Sequence, residues 1–213
     1  MEVHEEGELR LVKLGPLGPF ANNAYVIQDR ASGEALIVDA PADGERALEA
    51  LGAGRASAII LTHRHPDHWV SIDALKQATG ARVLCHEADR QPYAEKVDGT
   101  LADGDKIEVG ELRVRVIHTP GHTPGSLCLL VGNHLISGDT LFPGGPGRTN
   151  RPEDLQQEIR SITSRLFELP DETLVHPGHG DDGAMGQAKR EYAVFASREH
   201  PADLCGDVTW EGR

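Results

Sequence analysis

Short apolar runs and alternating stretches, set off by glycine, proline and aspartate, succeed one another along the chain and predict strands interleaved with helices. Residues 8–14, 23–28 and 35–39 read as opening strands, and residues 43–51 as a helix with Asp43 as its cap. The unbroken run Ala58-Ile59-Ile60-Leu61 predicts a buried strand. Trp69, Ile72, Leu75 and Lys76 suggest a helix starting near Asp67, and residues 82–85 then return as a strand. Asp103-Gly104-Asp105 marks a turn, residues 107–109 and 113–117 form a hairpin, and residues 126–131 pair with Leu135-Ile136 around Gly132-Asn133. A long helix over 153–167, with Pro152 in its first turn, puts Leu155, Ile159, Ile162 and Leu166 on one face as a core stripe.

Composition bounds the picture. With 213 residues, 38% of them hydrophobic, the chain reads as one domain over 1–213, with a core over about 8–197 and a tail over 198–213. That tail, with Trp210, reads as a terminus that frays, a flap over a site being the alternative. No apolar run reaches the roughly eighteen residues of a membrane span, and Met1-Glu2-Val3-His4-Glu5-Glu6 lacks a basic-then-apolar leader. Cys85, Cys128 and Cys205 are odd in number and scattered, which excludes a disulfide framework and, with the missing leader, predicts a cytoplasmic protein. A formal net charge of -13 and the lack of a basic stripe oppose nucleic-acid binding.

The candidate chemistry concentrates in His63-Arg64-His65-Pro66-Asp67-His68, directly after the buried run. Alternate residues of extended chain point the same way, so His63 and His65 can converge on one ion. Asp67 and His68 then serve a neighbouring ion if a helix starts there, and the carboxylate also suits the positive helix N-terminus. A lone His-x-His would be read as solvated loop histidines; three imidazoles and a carboxylate within six residues outweigh that reading. Three further turns repeat the grammar of strand, tight turn and ligand-type residue: Thr119-Pro120-Gly121-His122, Ser137-Gly138-Asp139 and His176-Pro177-Gly178-His179. Glycine beside His122, Asp139 and His179 allows sharp bends and close approach.

From about residue 9 to 180 these motifs resemble the metallo-β-lactamase superfamily, and its short glyoxalase II-like (hydroxyacylglutathione hydrolase-like) branch fits best. The resemblance implies an α/β fold, a four-layer αβ/βα sandwich with ligand loops at one end of two facing sheets. By matching motif residues it implies His63, His65 and His122 around a first metal, Asp67, His68 and His179 around a second, and Asp139 bridging them. Imidazole nitrogen and carboxylate oxygen suit two divalent ions, zinc foremost, with iron or manganese as alternatives. Many true β-lactamases carry a cysteine ligand near the place of Asp139, so antibiotic hydrolysis is disfavoured. Gly138-Asp139-Thr140-Leu141-Phe142, followed by Gly147-Arg148-Thr149, resembles the short glyoxalase II-like enzymes and their persulfide dioxygenase relatives. Arg148 is a candidate two-pronged anchor for a substrate carboxylate, with loop ordering as its competing role.

The implied activity is hydrolysis of a thioester, a hydroxyacyl-thiol, by hydroxide held between ions about 3.5–4 Å apart, with Asp67 or Asp139 orienting the water. A thiolate leaves without a strong general acid. The expected partner is a small acyl-thiol or ester, with no membrane and no nucleic acid; a homo-oligomer is compatible. The same scaffold serves two alternatives. One is a lactonase or other carboxylic-ester hydrolase, and the other is a mononuclear iron persulfide dioxygenase using His63, His122 and Asp139. A non-catalytic module would have lost ligands, and none of the seven is missing. The chain departs from the family at Trp69-Val70-Ser71, where many relatives have small glycines, so Trp69 either narrows the site or packs into the core. Too few residues follow Gly183 for the helical domain of the larger glyoxalase II enzymes, so their glutathione contacts do not carry over. His86, His118, His134 and His176 lie beside strand ends but are not expected as direct ligands, His118 and His176 reading as supporting or satisfied buried groups, while His4 and His200 read as exposed.

Overall fold

A computed structural model describes residues 1–91 and 93–211. Seven strands form the first sheet in sequential order: β1 (Glu2–Glu6), β2 (Leu9–Leu17), β3 (Asn22–Asp29), β4 (Glu34–Val38), β5 (Arg55–Ile60), β6 (Arg82–His86) and β7 (Gly99–Leu101). The first four pair as an antiparallel meander, and β4 to β7 run parallel. Parallel neighbours need crossovers, supplied by α1 (Arg46–Leu51) and α2 (Ile72–Thr79). The second sheet contains β8 (Lys106–Val109), β9 (Leu112–His118), β10 (Leu127–Val131) and β11 (His134–Gly138). A small ribbon, β12 (Leu141–Phe142) with β13 (Gly145–Pro146), precedes β14 (Leu174–Pro177) and β15 (Gly183–Ala184), which complete that sheet beside β11. Helices α3 (Pro152–Ser161) and α4 (Met185–Ala196) cover its outer face.

Period-two alternation explains the layering. Ile59 and Ile60 are adjacent and both fully buried, yet they serve different cores. Ile59 packs with Val26, Ile37, Ile72 and Leu75 under the first helices, whereas Ile60 joins Ile27, Leu36, Leu129 and Ile136 between the sheets. A third core joins Leu135, Leu155, Ile162, Leu166 and Phe195 beneath α3 and α4. Each such aliphatic side chain contributes roughly 1.5–3 kcal/mol by leaving water. The result is the expected four-layer αβ/βα sandwich. Among the described residues no helix is long and apolar enough to cross a membrane.

Several expectations are corrected. The helix expected over 43–51 starts only at Arg46; Asp43 has φ 60° and caps nothing, its carboxylate accepting instead from Gly18 N–H at 3.2 Å. No α-helix begins at Asp67. A 3₁₀ turn spans Pro66–His68, and the chain is then pulled sideways, with Ala40 N–H on His68 O and Ser71 N–H on Ala40 O, before α2 starts at Ile72. The long helix is α-helical only to Ser161 and continues as π turns over Ile162–Leu166, keeping its apolar stripe buried. The C-terminal segment does not fray within the described residues: Trp210 is fully buried and its backbone N–H donates to Gly144 O at 2.7 Å. Thr149 bridges Gly206 beside it.

Candidate metal centre

Each group of predicted ligands follows a strand that ends at the same edge of the sandwich. After β5, Thr62 turns out of the sheet because its N–H and its hydroxyl both bond to Asp39, each at 2.8 Å. That aims His63, 1% exposed, into the gap between the sheets. After β9, Gly121 sets His122; a Cβ on Gly121 would lie 2.2 Å from Glu158 Cβ, and its φ of +151° excludes most side chains. After β11, Gly138 has φ +49° and sits against Thr62, bringing Asp139 to the loop of the first sheet. After β14, Gly178 passes so close to Asp139 Oδ1 that a Cβ would lie 2.1 Å from it, and His179 follows.

All seven predicted residues therefore meet. His65 Nδ1 lies 3.1 Å from His63 Nε2 and 2.9 Å from His122 Nε2. His68 Nε2 and His179 Nε2 are 3.2 Å apart, with Asp67 Oδ2 3.5 Å and 3.4 Å from them. Asp139 lies between the groups, at 3.6 Å from His68, 3.7 Å from His122 and 3.5 Å from His179. Donors bound to one tetrahedral zinc at about 2.0–2.1 Å stand roughly 3.3 Å apart, so these separations suit shared cations.

The outward nitrogens are held. His68 Nδ1 bonds to Asp39 Oδ2 at 2.9 Å, His122 Nδ1 to Arg148 O at 2.9 Å, and His179 Nδ1 to Phe20 O at 2.9 Å. Each contact fixes the ring so that Nε2 faces inward. Asn22, buried at the start of β3, donates to Asp67 Oδ2 at 2.8 Å. Asn22, Asp39 and Glu158 are site residues that no motif announced. Glu158 is buried under the His122 turn and accepts from Gly147 N–H at 3.2 Å; burial holds its carboxyl well above the usual range.

The electrostatics divide the cluster. Burial, reinforced by neighbouring imidazoles, pushes His65 down to about 4 and His63 well below its usual value, so both offer free lone pairs at neutral pH. Burial also lowers His122. On the other side burial opposes the charged form of His179, but hydrogen bonds to Asp139 and Asp67 outweigh it and raise the group to about 10. His68 is likewise raised, burial being overcome by Asp139 and Asp39. For Asp139, burial is overcome by His68 and His63, leaving its carboxyl well below the usual range.

The residues present fit divalent ions. Asp139 Oδ1 is buried without a hydrogen-bond partner, and the missing side chain of Gly178 leaves space beside it. A bound cation would supply what that oxygen lacks. The cluster opens to a cleft of about 580 Å³ lined by His122, Asp139, His179, Phe142, Arg148 and Val208. Arg148 sits at its exposed rim, 3.2 Å from Asp207, while its backbone carbonyl orients His122. Trp69 is half-buried: it packs on Tyr93 with ring centroids 5.2 Å apart, donates to Arg64 O at 3.1 Å, and does not line this cleft. His176 is buried away from the cluster, against His134 and Asp182, and His86 stacks on His118 at 3.9 Å. His200 is exposed as expected; His4 is not, being half-buried beside His176.

Fold and site together define a metal-dependent hydrolase of the αβ/βα class. Residues 17–179 match the Metallo-beta-lactamase superfamily, and the chain belongs to that family, on its glyoxalase II-like branch. Its relatives include a protein of Aquifex aeolicus, 35% identical over 87% of this chain and 97% of the other. A hydroxyacylglutathione hydrolase of Cereibacter sphaeroides is 34% identical over 84% of this chain and 69% of that enzyme. Among solved structures, ETHE1 from Myxococcus xanthus superposes with a TM-score of 0.77 at 29% identity, covering 89% of this chain and 85% of the other. The BLEG-1 B3 metallo-beta-lactamase gives 0.72 at 30% identity, covering 83% and 95%.

Proposed function

We propose that the chain hydrolyses the thioester of a small hydroxyacyl-thiol, using two divalent ions, zinc foremost, held by His63, His65 and His122 on one side and by Asp67, His68 and His179 on the other, with Asp139 shared. The observation that carries the reading is the convergence of the seven donors into adjoining groups beside an open cleft that His122, Asp139 and His179 line, with an aspartate rather than a cysteine at position 139. Such ions, when bound, polarise a carbonyl and make water nucleophilic near neutral pH. The chain's own groups do the rest. Asp67, held by Asn22, and Asp139 accept hydrogen bonds from the attacking water and orient it. Arg148 at the rim receives a carboxylate of the substrate in two-pronged fashion once it leaves Asp207. The thiolate departs without a protein acid, and no general acid is required of Glu158, which lies beneath the loop. The similarity to hydroxyacylglutathione hydrolases supports a thiol-borne acyl group, and the net charge of -13 supports a small substrate over nucleic acid. We place the reaction in the cytoplasm.

The likeness to ETHE1 favours one second reading, an iron dioxygenase acting on persulfides through His63, His122 and Asp139. Elemental mass spectrometry on protein purified without added metal, followed by acyl-thiol and lactone panels, separates the two. Near two ions per chain at the seven donors, counted as those lost when these donors are replaced, with thioester cleavage is expected. One iron per chain with persulfide-dependent oxygen uptake would replace the proposal, and a fully metallated protein inert to every acyl-thiol would end it.

A further inference from the structure

A second convergence of ligand-type side chains lies outside the seven-residue cluster. His4 on β1, His176 on β14 and Asp182, just before β15, bring two imidazole nitrogens and a carboxylate oxygen within 4.8 Å of one another. Asp182 Oδ2 is 2.8 Å from His176 Nδ1 and 3.9 Å from His4 Nε2. His4 Nε2 is buried and has no hydrogen-bond partner, although its ring is half-exposed on an edge strand.

We infer that His4, His176 and Asp182 form a further binding site for a divalent transition ion, independent of the candidate catalytic centre. Two imidazoles and one carboxylate are a donor set for zinc and its neighbours, and the remaining coordination positions fall to water from the adjoining cavity. The supporting contacts that such sites require are in place. His176 Nε2 meets His134 Nδ1 at 2.9 Å, which lets His176 donate there and leaves its Nδ1 lone pair for the ion. Lys13 Nζ holds the other oxygen of Asp182 at 2.6 Å and also Gly180 O at 2.9 Å. Its positive charge weakens the site relative to the seven-donor cluster, and Glu2 and Asp181 on the cavity wall partly offset it. A purely hydrogen-bonded bracket would leave His4 Nε2 unsatisfied; an ion satisfies it. A bound ion also fastens β1, paired only to β2, to the loop that carries His179.

The test counts ions by subtraction, so its outcome stands whether the catalytic cluster holds two ions, as proposed above, or one. Untagged protein stripped with chelator is dialysed against micromolar zinc and analysed by elemental mass spectrometry beside His4→Ala and His4→Gln. Both variants are expected to hold one ion fewer than the parent at the same free zinc, with unchanged circular dichroism. The same deficit is expected on a His63→Ala/His122→Ala background. Equal counts in parent and variants would overturn the site, as would a deficit that disappears on that background.

Discussion

The buried carboxylate of Asp39 takes His68 Nδ1 at 2.9 Å while its two oxygens also hold the N–H and hydroxyl of Thr62, so one side chain fixes both the ring of a ligand and the turn that launches the His63 loop. Asp39→Asn keeps the volume but removes the charge that holds His68. Groups in this position contribute 10–100-fold to metal affinity. The variant is expected to lose about that factor in zinc affinity at the Asp67 side, read by competition with a chromophoric chelator; wild-type affinity would show that Asp39 serves only the fold.

Gly178 is constrained by space. Its Cβ would lie 2.1 Å from Asp139 Oδ1 and 2.8 Å from His68 Cε1, two groups on different loops. Gly178→Ala is expected to displace Asp139 and lower kcat by about tenfold or more, since displacements near an ångström carry such losses. Full activity and full metal content would contradict the crowding argument.

Arg148→Ala removes an exposed guanidinium but keeps the carbonyl that orients His122. Its pair with Asp207 is exposed on both sides and contributes about 0–1 kcal/mol at most, so the melting temperature should hold. KM for a carboxylate-bearing thioester should rise about tenfold with kcat little changed, a loss of binding common to ground and transition states. A fall in kcat at constant KM would instead assign the side chain to the reaction itself.

Proton release accompanies metal binding. In the metal-free chain His179 is raised to about 10, so it is protonated at neutral pH and must lose that proton to ligate. Zinc affinity should rise roughly tenfold per pH unit for each proton displaced. Calorimetry in two buffers of different ionisation heat should register this release at pH 7, and identical heats would refute it.

Metal-free stability carries the opposite signs of these shifts. His65 and His134 are depressed to about 4, so their contribution is present above the unfolded value near 6.5 and is lost as pH falls toward 4. His179 is raised, so its contribution is present below about 6.5 and is lost as pH climbs through about 10. Melting of the stripped protein should therefore worsen toward both ends, and a monotonic profile would contradict the assignment.

Much of this was written in local patterns. Alternation and the continuous run ending at Leu61 located most of the longer strands, though not the short β7, β12, β13 and β15, and clustered histidines with glycine-flanked turns located the seven donors, because ligand chemistry leaves dense marks in few residues. The supporting groups left none. Asn22 and Asp39 are single polar residues at strand ends, and only the packing of β3 and β4 against the His63 loop makes them part of the site. Strand β1, mostly charged and exposed, and helix α4, with its mixed surface, were missed for want of a period. Trp210 belongs to the core by contacts with Tyr192 and Phe195 that no stretch of sequence around it foretells.

Four of the seven donors hang from β5 and three from the strands of the opposite sheet. Neither half of the sandwich supplies a complete donor set by itself. Refolding in limiting zinc thus has a built-in clock: tight ion uptake marks the closing of the two sheets on each other, and a chain that has formed its strands but not yet docked them will hold its zinc far more weakly.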